Sequence, residues 1–180
     1  MNLMKKTLAT AIVLLAMSLA VYAAKYTTTI TWFNVASVES FTLTLRGGSP
    51  VYAETTGNAT SDIEFNSSAG TATCIDPCVV GGQCQDAGNA IFAIANTGTT
   101  NINVTANFTI APPSCVSVGG SNVSRAAACT GLIISTTAVP VAYNLAPEAS
   151  ISWWEAANFT SCTGQATSRT QWVYGIQSTT

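Results

Sequence analysis

The sequence predicts an all-β chain, an antiparallel β-sandwich of immunoglobulin-like or jelly-roll-like type with an N-terminal donor strand. Three observations carry the β-sandwich. Apolar and polar residues alternate with period two along much of residues 24–180, and no long stretch shows a 3.6-residue period. Thr, Val, Ile and aromatic residues crowd the alternating stretches, as strands prefer. Gly, Pro and Asn clusters break them at short intervals, which favours a sandwich of about eight to ten strands over a barrel.

The elements follow in order. Lys5 and Lys6 precede an uncharged apolar run over residues 7–24, and Val21-Tyr22-Ala23 supplies small or permissive residues at its end. This is the charged region, apolar centre and cleavage site of a secretory signal peptide, expected over 1–23 with Ala24 as the next possible cut. A retained anchor would be short for a membrane span and has no flanking charge cluster. A pilin-type leader would cut ahead of the apolar run instead. Residues 24–36 then form a tail and 37–180 a head domain.

Residues 26–35, Tyr-Thr-Thr-Thr-Ile-Thr-Trp-Phe-Asn-Val, are almost all strand formers. Phe41, Leu43 and Leu45 alternate with polar partners until Gly47-Gly48-Ser49-Pro50 stops the strand. Short strands are expected at 51–56 and 62–65, and a stapled loop at 71–88. Segments 90–95 and 101–110 flank Thr97-Gly98-Thr99-Thr100, which reads as a hairpin turn. Strands at 130–137, 139–145, 151–154 and 171–176 complete the set, with Pro147-Glu148 as a turn. In 101–110, Ile102, Val104, Ala106, Phe108 and Ile110 share one face, and Asn and Thr fill the other.

Composition excludes several functions. The chain has 180 residues, six basic and eight acidic, with no histidine. A net charge of −2 lacks the basic stripe of a nucleic-acid binder. Without histidine there is no Ser-His-Asp or Cys-His catalysis and no His-ligated zinc. The expected chain is not an enzyme and needs no cofactor and no metal.

Cys74, Cys78, Cys84, Cys115, Cys129 and Cys162 are an even set. In a secreted chain they read as three disulfides, with 15 possible pairings. A metal cluster at Cys74, Cys78 and Cys84 lacks a Cys-x2-Cys pair. Six N-glycosylation acceptors follow the leader, at Asn58, Asn66, Asn103, Asn107, Asn122 and Asn158. At this Asn, Ser and Thr content, roughly three would arise by chance. Asn103 and Asn107 fall on the polar face of their strand, where a glycan has room.

Other candidates have plainer readings. Asp62 and Glu64 could hold Ca²⁺ with a third oxygen donor, but read better as solvated edge charges. Glu148 and Glu155 flank a short strand with no glycosidase motif around them. Trp153 and Trp154 could offer a sugar-stacking surface through one ring only, because strand neighbours face opposite ways.

The tail strand is more informative. Tyr26, Thr28, Ile30 and Trp32 share one face and form the expected subunit interface. Such a strand can serve its own sandwich or add to a groove in a neighbouring copy. A head-to-tail contact that does not close yields a filament. The leader is prokaryotic in type and the acceptor sites are dense, a pairing that suits an archaeal surface protein.

On these features the chain resembles the subunits of archaeal donor-strand filaments, the bundling pili and threads. They are the leader ending at Ala23, the strand over 25–35, the uncharged Thr-rich β-domain and the acceptors at Asn58, Asn66, Asn103, Asn107, Asn122 and Asn158. The resemblance implies a sandwich lacking one strand, completed by the tail of the next subunit. Implied partners are identical subunits head to tail, possibly bundled with neighbouring filaments, with no nucleic acid and no membrane once the leader is cut. The expected place is extracellular or cell-surface, in adhesion or biofilm cohesion. The alternative is a monomeric secreted carbohydrate-binding or adhesin module.

Overall fold

The computed structural model describes residues 24–33, 41–47, 50–51, 62–67, 69–163 and 167–178. The leader, Asn58 and positions 52–56 of an expected strand lie outside them.

Two β-sheets face one another. The first runs β11-β8-β13-β1-β4-β6. Its strands are β1 (Ala24–Phe33), β4 (Asp62–Ser67), β6 (Pro77–Val79), β8 (Ile102–Phe108), β11 (Val139–Leu145) and β13 (Thr167–Gln177). The second runs β10-β9-β12-β7-β2-β3, with β5 also paired to β12. Its strands are β2 (Phe41–Leu45), β3 (Pro50–Val51), β5 (Ala72–Ile75), β7 (Phe92–Asn96), β9 (Val116–Ser121), β10 (Leu132–Ile134) and β12 (Ser150–Phe159). Among the described residues every ladder is antiparallel except that of β1 with β13. The all-β sandwich is therefore as expected, with thirteen strands among the described residues against the expected eight to ten.

The core fills the space between the sheets. Phe65, Phe92, Phe108 and Phe159 are all buried within it, with Leu43, Ile63 and Ile94. Period-two alternation puts them there: in β2, Phe41, Leu43 and Leu45 are buried while Thr42 and Thr44 are half-exposed. β8 does the same with Ile102, Val104, Ala106 and Phe108. Ile110 departs from the expected face and is 65% exposed. The strand ends at Phe108, whose N–H turns to Ser135 O at 2.7 Å, and Pro112-Pro113 follows with no N–H to continue a ladder.

Three local expectations are corrected. Residues 97–100 do not close a hairpin: β7 pairs with β12 and β2, whereas β8 pairs with β11 and β13. The chain crosses between sheets there, organised by the fully buried Asn96. Its Nδ2 donates to Thr100 O and Leu145 O, both at 2.8 Å, and its Oδ1 accepts from Gly98 N at 2.9 Å. The cysteine-rich stretch is not wholly loop, since it contributes β5 and β6. The strand expected at 151–154 runs on to Phe159 as β12, joining β7, β9 and β5.

A short helix α1 (Arg125–Thr130) also interrupts the β pattern. Ser124 caps it, its Oγ accepting from Ala127 N at 3.1 Å. Bare glycine lets it sit flat on β9, where a Cβ at Gly119 would stand 2.2 Å from Ala128 O, and on the opposite face of β9 a Cβ at Gly120 would stand 2.2 Å from the Trp153 ring.

Candidate functional site

The tail strand expected at the subunit interface is β1, and here it closes the sheet of its own chain. It lies between β13 and β4, in the interior of the first sheet. Residues 26–33 pair with 167–174 of β13, and residues 24–29 pair with 62–67 of β4. Tyr26 is in register with Phe65, Thr28 with Ile63 and Trp32 with Val173. Those three partners are buried, as is Gln171 opposite Ile30, so positions 26 and 28 are registered with core-facing positions of β4 and positions 30 and 32 with core-facing positions of β13. The side chains of β1 lie outside the described residues.

The walls of this groove are shaped from both sheets. β4 supplies Ile63 and Phe65, each 0% exposed. β13 supplies Gln171, Val173 and Gly175 on its core face. Gly175 has no room for a side chain, because a Cβ would stand 2.6 Å from Phe41 of the opposite sheet. Without β1, the six-stranded sheet divides into β11-β8-β13 and β4-β6, each with an unpaired edge.

A polar chain crosses the core beside the groove. The Glu155 carboxylate, fully buried, accepts from Trp153 Nε1 at 3.0 Å and from Gln171 Nε2 at 2.5 Å, both at Oε1. Gln85 clamps the Glu155 backbone, accepting its N–H at 3.0 Å and donating to its carbonyl. Gln85 Nε2 also reaches Asp76 Oδ1 at 2.9 Å, and Asp76 pairs with Arg125 at 2.7 Å. Loss of water around Glu155 pushes its carboxyl up to about 7, against the opposing effect of the Gln171 and Trp153 hydrogen bonds.

The sequence missed this cluster. Glu155 has the strand parity of Trp153 and Ala157, and Gln171 that of Val173. Their shared parity with core residues was the available signal. The reading of Glu148 and Glu155 as residues flanking a short strand is corrected: Glu155 is inside β12 and buried, while Glu148 is exposed in a turn.

The cysteines form Cys74–Cys129, Cys78–Cys84 and Cys115–Cys162, and none is free. Three disulfides fit an oxidising compartment. No helix among the described residues is long and apolar enough to cross a membrane. Those residues also hold no group of three or more His, Cys, Asp or Glu suited to a metal. Glu64 is not an edge charge, because β4 is paired there with both β1 and β6.

The acceptor asparagines differ in setting. Asn66 and Asn122 are exposed, and Asn103 and Asn107 are half-buried on the outer face of β8. Asn158 is half-buried and committed: its Oδ1 accepts from Cys74 N at 2.7 Å, and its Nδ2 donates to Cys129 O at 3.5 Å. Trp153 is 3% exposed and belongs to the core, and Trp154 is half-buried on the other face. A surface cleft of about 280 Å³ lies by Leu132, Pro140 and Tyr143, and Tyr143 is 73% exposed.

No family model matches the chain, and no curated protein is significantly similar to it.

Proposed function

We propose that this chain is a secreted, glycosylated structural subunit that polymerises by donor-strand exchange into an extracellular filament, serving adhesion or biofilm cohesion. One observation carries the reading. β1 is held by two ladders in the middle of a sheet, and residues 34–40 lead from it to the strand that follows. Once the leader is cut at Ala23, every backbone pair that β1 makes within its own chain can be made with a neighbouring copy instead. Self-complementation then represents the closed subunit, and exchange of β1 the open, polymerising one. The disulfides and the low charge suit a durable surface protein.

N-terminal sequencing and negative-stain microscopy of the secreted product test this together. The mature chain should begin at Ala24 or Lys25 and form filaments. A mature chain retaining the apolar run of 7–24 contradicts cleavage, and a product that stays dispersed when concentrated contradicts polymerisation.

The second reading, a monomeric carbohydrate-binding or adhesin module, draws on the cleft beside Tyr143. An exposed aromatic ring at an apolar cleft is a place where a sugar face can stack. Dispersed particles that retain glycan-array binding, lost on Tyr143→Ala, would favour it.

A further inference from the structure

We propose that Glu155 and Gln171 form a neutral carboxylic acid–amide pair inside the sandwich, and that ionising this acid loosens the wall of the β1 groove, so that the groove grips its strand more firmly in acid. The pair is a property of one folded chain. Only its consequence for assembly rests on the donor-strand reading above.

The two planar groups come one from each sheet. Gln171 Nε2 donates to Glu155 Oε1 at 2.5 Å. The other oxygen of each group, Glu155 Oε2 and Gln171 Oε1, is buried with no hydrogen-bond partner among the described residues. Two acceptors cannot satisfy each other while the carboxyl is ionised. One proton taken from solvent onto Oε2 turns it into a donor, and Oε2–H can then serve Gln171 Oε1. The same proton removes an uncompensated charge from the core.

Among the described side chains, no neighbour supplies Glu155 with a counter-charge. Asp76, ahead of β6, and Arg125, on α1, neutralise one another in an ion pair at 2.7 Å. On β9 the residue paired with Glu155 is Gly120. Glu64 on β4 alternates with the buried Ile63 and Phe65, and accepts from the exposed Asn66 at 2.9 Å. Lys25 and Tyr26 belong to β1, and Arg169 precedes Gln171 by two positions on β13. Arg169 shares the parity of Gln171, so it enters the test as the rival partner of the carboxyl.

The link to the groove runs through β13. Gln171 is in register with Ile30 of β1 and with Phe108 of β8. A charged Glu155 draws water or displaces Gln171, and either disturbs the strand against which β1 is laid. The sign follows from linkage. The folded carboxyl titrates near 7 rather than at the ordinary 4.5. Stability from the protonated pair is complete below about 4.5 and is lost as pH rises towards 7.

Thermal melting of the mature full-length chain against pH reads the pair directly. The wild type should lose melting temperature as pH rises from about 4.5 to about 7 and then level off. Glu155→Gln gives an amide–amide pair of the same shape. It should match the wild type in acid, show no such slope, and melt higher above neutrality. Arg169→Gln should leave the wild-type slope in place. NMR titration of the Glu155 carboxyl carbon gives a second measurement that needs no variant, and should report a proton held up to near-neutral pH. A flat wild-type profile, an equal slope in Glu155→Gln, a slope that appears only in Arg169→Gln, or a carboxyl already ionised in mild acid each overturns the pair.

For the groove, a labelled peptide of residues 24–34 is offered to the full-length chain. Because the chain's own β1 must leave first, the rate of uptake should fall by up to about tenfold for each unit that pH is lowered across the same window, and should not vary with pH in Glu155→Gln. Uptake independent of pH in the wild type overturns the loosening. No uptake at any pH overturns the exchange reading and the loosening with it, while the melting curves decide the pair.

Discussion

Asn158 illustrates how a single side chain can carry a motif and contradict its use. Asn158-Phe-Thr is a formal acceptor, yet the amide bridges the two ends of the Cys74–Cys129 disulfide through Cys74 N and Cys129 O. A glycan on Nδ2 would take that atom from a half-buried site. Glycopeptide mass spectrometry should find occupancy falling from Asn66 and Asn122, through Asn103 and Asn107, to none at Asn158. Asn158→Ala should cost about 1 kcal/mol, because it leaves a half-buried N–H without its acceptor. Full occupancy at Asn158 in protein with the native disulfides would contradict this assignment. At this scale the sequence was legible where a side chain obeys its strand's alternation, as Leu43, Val104 and Phe108 do. It was not legible where a polar residue goes into the core: Asn96, Gln85, Glu155 and Gln171 are all buried, each held by at least one contact 9 to 70 residues away or within one turn. Composition and period hold no record of such pairing.

Strands were legible one at a time, and their neighbours were not. The period-two pattern located β1, β2, β8 and β11, because a sheet with one buried face must alternate. The same pattern cannot say that β7 and β8 belong to different sheets, since a turn of four residues serves a hairpin and a crossover alike. α1 escaped because six residues are under two turns, too few for a 3.6-residue period to register. Disulfide pairing was equally open, and the structure makes the bridges unequal. Cys74–Cys129 spans 55 residues and ties β5 to the end of α1, whereas Cys78–Cys84 spans 6 and staples the edge strand β6 to its own loop. Chain entropy makes the long closure worth about 4 kcal/mol and the short one about 2 kcal/mol. Double substitution to Ala should therefore lower stability about twice as much at Cys74 and Cys129 as at Cys78 and Cys84. Denaturant unfolding of the two variants measures the ratio, and equal losses would show that closure entropy is not what these bridges contribute.

For the whole molecule, the unresolved choice is whose groove β1 fills. A tail on a short connector faces its own groove at an effective concentration of order millimolar, so an isolated chain should close on itself. On the proposed donor-strand reading, polymer growth must then displace a strand already in place, and the two ladders on β1 would make that displacement slow rather than merely unfavourable. The connector decides the balance. Residues 34–40 join β1 in the first sheet to β2 in the second. Seven residues reach about 25 Å, enough to cross sheets that pack about 10 Å apart with lateral offset to spare. A link cut to two residues reaches about 7 Å at full stretch, short of the spacing between sheets. Closure within the chain then becomes strained while insertion into a neighbour does not, the condition under which a shortened hinge drives exchange. Removing five residues from 34–40 should shift the mature protein from monomers to filaments at concentrations where the parent stays monomeric. Adding ten flexible Gly and Ser residues should keep it monomeric at concentrations where the parent assembles. Light scattering and negative-stain microscopy across a concentration series read both shifts. A shortened chain that remains a folded monomer, with β1 amides still protected from hydrogen exchange, would mean that β1 is a fixed strand of its own sandwich and that exchange is not how this protein meets its neighbours.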